Sequence, residues 1–92
     1  MHDWTLLRID FEWKHGRVAI TLEDCSFAER ALVAEGVREL RVPRAHEWGA
    51  SVSVNEVSAV ETMPDGYRKL RLEMQSGDVI EIVAKRIDLP AN

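Results

Sequence analysis

Leu70-Arg71-Leu72-Glu73-Met74-Gln75-Ser76-Gly77-Asp78-Val79-Ile80-Glu81-Ile82 decides the fold class of this chain of 92 residues. Apolar and polar side chains alternate on both sides of a short polar loop, the local pattern of a β-hairpin. A two-residue turn at Ser76-Gly77 would set Leu72 against Glu81 and mix the faces. A three-residue turn, Gln75-Ser76-Gly77, sets Leu72 against Ile80, Leu70 against Ile82 and Arg71 against Glu81. Paired residues share a sheet face, so the three-residue register makes one face apolar and the other charged. Gly77 then falls on the left-handed position of a type I turn with a bulge.

Pro64-Asp65-Gly66 repeats the geometry. Proline presets φ and Gly66 takes the left-handed position. The pairs that follow are Val60–Leu70 inside and Glu61–Lys69 outside, so residues 57–86 read as a three-stranded meander. Its outer face carries Glu61, Lys69, Arg71, Glu73, Glu81 and Lys85, with Tyr67, Val79 and Val83 among them. Alternating charges mark that face as solvated.

His15-Gly16 sits between two further alternating runs. A two-residue turn there pairs Trp13 with Val18, Phe11 with Ile20 and Ile9 with Leu22, and requires positive φ at His15. A three-residue turn would mix the faces.

Residues 26–35 fit two descriptions. Ser26-Phe27-Ala28-Glu29 matches a helix capping box, but the apolar positions do not form one helical stripe. As a strand, Leu32, Ala34, Leu40 and Val42 share one parity, with Gly36 as a bend and Val33, Glu35, Val37, Glu39 and Arg41 outward. The strand is the better fit. Val52 and Val54 begin another strand, with a bulge expected near Asn55-Glu56. The sum is about seven strands without βαβ alternation: a single all-β domain, a small antiparallel sandwich or flattened barrel.

The bulk numbers narrow the function classes. With 12 basic and 16 acidic residues the net charge is −4, which disfavours nucleic acid and anionic membranes as partners. A single cysteine, Cys25, allows no internal disulfide and fits a reducing compartment. The start Met1-His2-Asp3-Trp4 lacks signal-peptide character, and no apolar run is long enough to span a bilayer, so a cytoplasmic protein is expected. The Pro90-Ala91-Asn92 tail is expected to fray.

No spacing among His2, His15, His46 and Cys25 builds a metal site or a nucleophile with its base. His2 is expected in a mobile terminus, His15 in a turn and Cys25 as an inert, at least half-buried thiol. The chain is therefore expected to be non-enzymatic and to need no cofactor. Trp48, beside Gly49 and small residues, is the candidate aromatic anchor for a protein partner, with Arg38, Arg41 and Arg44 rimming it. Self-association through an exposed strand is the related expectation. The alternative is a small-molecule or carbohydrate module that stacks its ligand on Trp48 or Trp4.

Trp48-Gly49-Ala50-Ser51-Val52-Ser53-Val54-Asn55 and Met74-Gln75-Ser76-Gly77-Asp78-Val79-Ile80 resemble paired motifs in small bacterial all-β domains of unknown function. Some of those domains are immunity proteins of polymorphic toxin systems. The resemblance spans the last half of the chain. It implies an all-β fold and a protein-binding role, and it transfers no catalytic residues.

Overall fold

The computed structural model describes residues 1–45 and 52–90. Trp48, His46 and the last two residues of the tail lie outside the described residues. Seven strands form one antiparallel sheet: β1 (Thr5–Glu12), β2 (Arg17–Glu23), β3 (Glu29–Arg41), β4 (Val54–Val57), β5 (Glu61–Thr62), β6 (Arg68–Met74) and β7 (Val79–Asp88). The order is β1-β2-β3-β7-β6-β4, with β5 also on β6.

The β6–β7 hairpin has the three-residue register: Leu72 faces Ile80, Leu70 faces Ile82 and Arg71 faces Glu81. Gly77 has a φ of +97°, and Met74 N–H donates to Asp78 O at 2.8 Å to close the loop. The β5–β6 loop matches it. Glu61 faces Lys69, Gly66 has a φ of +88°, and Val60 packs against the core. The meander is interrupted before β5, where residues 58–60 leave the ladder. The expected bulge near Asn55 is present, as a register shift between Val54 and Glu56.

The first hairpin differs from its expected register. Glu12 faces Arg17, Phe11 faces Val18 and Ile9 faces Ile20, so Trp13–Gly16 form a four-residue loop. The slip is two residues, which preserves every side chain's face and so escapes a test based on faces. Gly16 takes the positive φ, +58°, and His15 does not. Gly16 O also accepts from Val37 N–H at 2.8 Å, a bond to β3 that local sequence does not reveal. A second irregularity follows: Leu7 is an extra residue between the pairs Leu6–Leu22 and Arg8–Thr21.

Residues 29–41 form a strand and no helix cap. The long strands β3 and β7 are shared by two halves of the sheet. The first part of β3 pairs with β2, and its later part with the start of β7. Gly36, at a φ of +62°, and a register shift between Val37 and Glu39 bend β3 between the halves, as bulges do. The two irregularities turn Val37 inward, against the core, contrary to its expected outward position. Val83 has outer-face parity yet is only 5% exposed. It lies in register between Glu39 and Lys69, side chains whose aliphatic stems cover apolar surface.

The bent sheet wraps a core that includes Val18, Ile20, Leu22, Leu32, Val54, Leu70, Leu72, Ile80 and Ile82, all 2% exposed or less. Burying each such side chain contributes about 1.5–3 kcal/mol before entropy is counted. The outermost strands meet at one end. Leu6 N–H donates to Val52 O at 2.7 Å, Val54 N–H to Trp4 O at 2.8 Å and Asp3 N–H to Val54 O at 2.9 Å. Among the described residues the sheet does not close into a barrel, and the contact between its outer strands runs as far as Leu6 and Val52. No helix of the described residues is long and apolar enough to cross a membrane.

Candidate functional site

Among the described residues, β1 has no partner strand on its outer side beyond Leu6. Asp24 N–H donates to Ala28 O, so even-numbered residues of β2 turn their main-chain groups toward β3, and odd-numbered ones toward β1. Ile9 faces Ile20 and Phe11 faces Val18; their own N–H and C=O groups therefore point away from β2. Leu6, opposite Leu22, already uses its outward N–H on Val52. Beyond it, no strand among the described residues pairs with β1 on that side.

Apolar side chains follow this edge. Leu7 and Phe11 are exposed, and Trp13 at the loop is 87% exposed. The Phe11 and Trp13 rings lie with centroids 5.8 Å apart and planes at 33°. Their outer-face neighbours are charged: Arg8 lies 3.3 Å from Asp10 and 3.8 Å from Glu29. A cavity of about 390 Å³ opens beside the strand. It is lined by Leu6–Ile9, by Val42, Pro43 and Arg44, and by Val52, Met74, Asp78 and Ile80.

Trp48, which Arg38, Arg41 and Arg44 were expected to rim, lies outside the described residues, and the three arginines are placed apart from one another in role. Arg38 donates to Asp65 at 2.5 Å, stacks 4.1 Å above the Tyr67 ring and lies 3.9 Å from Met63 Sδ. It clamps β3 to the β5–β6 loop. Arg41 is exposed at the end of β3, in register with Glu81, and Arg44 lines the cavity.

Other sequence expectations change too. Trp4 is 7% exposed, with the Arg30 guanidinium 5.7 Å above its ring, so its faces are not a platform for a ligand. Cys25 is exposed rather than half-buried, because it sits at a hairpin tip. His2 is held: its Nδ1 lies 2.6 Å from Asn55 O, and the adjoining Asp3 accepts from Gln75 Nε2 at 2.6 Å. His15 contacts Glu12 within its own loop.

The displaced acidities belong to loops. Arg38 donates to Asp65, and with the Tyr67 N–H it holds that carboxyl below its ordinary value; Asp65 in turn raises Arg38. Ala28 N–H, followed by Ser26 N–H and Arg30, lowers Asp24. These groups tie turns together and do not line the cavity, so their shifts have a structural cause.

Fold and edge together define a small all-β domain in which, among the described residues, β1 pairs with β2 on one side and with no strand on the other beyond Leu6. Comparison of the chain with protein families, curated proteins and solved structures finds no match.

Proposed function

We propose that this chain is a non-enzymatic protein-interaction domain whose open β1 edge takes up an extended strand from a partner protein. The carrying observation is the outward main chain of Ile9 and Phe11, flanked by the exposed Leu7, Phe11 and Trp13. Unpaired edge groups supply affinity to an added strand, and alternate side-chain pockets supply selectivity. An immunity-type role, implied by the resemblance of residues 48–55 and 74–80, would use such an edge against a toxin. Arg44, which lines the cavity beside Leu6–Ile9, is a candidate for the rim of that surface.

The test is capture of partners from a native extract by the parent chain and by Phe11→Lys, which puts a charge on the edge without touching the buried core. Partners captured by the parent and lost by the variant support the edge. Equal capture by both chains refutes it.

The cavity favours a second reading, a site for a small apolar ligand between Leu6–Ile9 and Val42–Arg44. Val42→Trp would fill this space and leave the main-chain edge intact. A ligand that protects the parent chain against thermal unfolding, but not this variant, would support it.

A further inference from the structure

We infer that Asp65-Gly66 is a site of isoaspartate formation, and that Arg38 guards it by holding the carboxyl and its loop in an unreactive arrangement. This is independent of the proposed use of β1. Asp65-Gly66 is the one Asp-Gly peptide of the chain, which has no Asn-Gly. Such a peptide is chemically labile, because glycine has no Cβ to hinder attack by its main-chain nitrogen on the preceding carboxyl. The surroundings add no hindrance either: a Cβ at Gly66 would meet nothing within 4 Å. The Asp65 side chain is 47% accessible, so water reaches it.

The reaction needs no partner but water. The Gly66 nitrogen attacks Asp65 Cγ, a C–N bond forms, a C–O bond breaks, and the carboxyl hydroxyl leaves as water with the amide proton. The five-membered succinimide then takes up one water. Opening at Cγ restores aspartate. Opening at the main-chain carbonyl routes the chain through Cγ and leaves isoaspartate, with no net change in mass.

In the folded chain each reacting group is engaged. Asp65 Oδ2 accepts from Arg38 at 2.5 Å, and Oδ1 accepts from Tyr67 N–H at 3.1 Å. Gly66 N–H donates to Met63 O at 2.9 Å. Arg38 is itself held, 4.1 Å from the centre of the Tyr67 ring. Ring closure must break these bonds. It also needs the neutral carboxyl, since hydroxyl leaves far more readily than oxide, and Arg38 favours the ionised form. The guard comes from β3, a distant part of the chain, so it exists only in the folded protein. Isoaspartate adds a main-chain carbon and moves the carboxyl, so the product no longer fits the clamp.

The experiment is ageing of the intact chain at about pH 5, where an ordinary carboxyl is partly neutral. It is run beside Arg38→Gln, Arg38→Lys and Ile20→Val. Ile20→Val weakens the core on another strand and leaves the loop alone. Trypsin releases the same peptide, residues 45–68, from every one of these chains. Isoaspartate is read as a chromatographically shifted peptide of unchanged mass that an isoaspartyl methyltransferase labels. The expected result is formation several-fold faster in Arg38→Gln than in the parent. Arg38→Lys, which keeps a cationic donor, should fall between them, and Ile20→Val should match the parent. Equal rates in the parent and Arg38→Gln overturn the inference. So does Ile20→Val as fast as Arg38→Gln, which would make general loosening the cause, and so does the absence of isoaspartate from every chain.

Discussion

Phe27 stands in the β2–β3 loop where Gly77 stands in the β6–β7 loop. In each loop the third residue donates its N–H back to the residue that opens the turn, Phe27 to Asp24 at 3.0 Å and Gly77 to Met74 at 2.9 Å. Both have positive φ, +63° for Phe27 and +97° for Gly77. Glycine reaches this region without steric cost, whereas a bulky residue there is an outlier. Phe27 is held by its surroundings: Asp24 Oδ1 accepts from Ser26 N–H at 2.8 Å and from Ala28 N–H at 3.0 Å.

Phe27→Gly should therefore stabilise the protein by about 1 kcal/mol, the order of the left-handed penalty it removes. The side chain is 82% exposed, so little packing is lost with it. Urea unfolding at constant m-value measures the gain. A loss of stability would show that the ring has a tertiary role in the fold.

Gly36 and Gly66 separate two costs of an added Cβ. At Gly66 it would meet nothing within 4 Å, whereas at Gly36 it would meet Lys85 Cγ and Cδ at 2.9 Å. Both have positive φ, so each alanine variant should lose about 1 kcal/mol from backbone strain. Gly36→Ala should lose more, and Lys85→Ala should recover part of the excess, and only at Gly36, because the Lys85 Cβ at 3.0 Å stays in place. A double-mutant cycle by thermal unfolding tests this coupling.

The Arg38–Asp65 clamp should make stability depend on acid. The folded-state acidity constant of Asp65 lies below its ordinary 3.8, chiefly through the Arg38 hydrogen bond. Its contribution is therefore complete above that ordinary value and is lost as the pH falls through the folded one. Arg38→Gln should be less stable than the parent at neutral pH, and the gap should narrow below about pH 4 as the carboxyl protonates. Urea midpoints across acid pH, compared between the two chains, provide the check. A constant gap would assign the role of Arg38 to its stacking on Tyr67.

Trp4 and Trp13 should respond in opposite ways. Trp4→Ala removes a buried ring and should cost about 3 kcal/mol or more. Trp13→Ala should change stability by about 0.5 kcal/mol or less, as at most surface positions. Chemical denaturation gives both values. Emission from the parent should lose a solvent-exposed component in the Trp13 variant alone.

Much of the sheet was legible because loop chemistry and side-chain alternation are local. Gly66 and Gly77 set their turns, and Leu70, Leu72, Ile80 and Ile82 set the register by keeping apolar residues on one face. The first hairpin was legible only to its faces, since a slip of two residues leaves every face unchanged. Its loop length is set with Gly16 bound to Val37, a residue distant in sequence. The candidate edge was harder to see. Its strand carries the same alternation as an internal strand, and Phe11 and Trp13 have the composition of core residues.

By itself, the order of residues determined the all-β class, the seven strands and the face on which most side chains lie, because turn propensity and alternation act over a few residues. Tertiary structure decided the bend of β3 at Gly36, the inward turn of Val37, the exposure of Cys25 and the contact of Leu6 with Val52. Those depend on which distant strands claim each main-chain hydrogen bond. Here Val52 claims the outward N–H of Leu6, a bond that joins the two ends of the sheet.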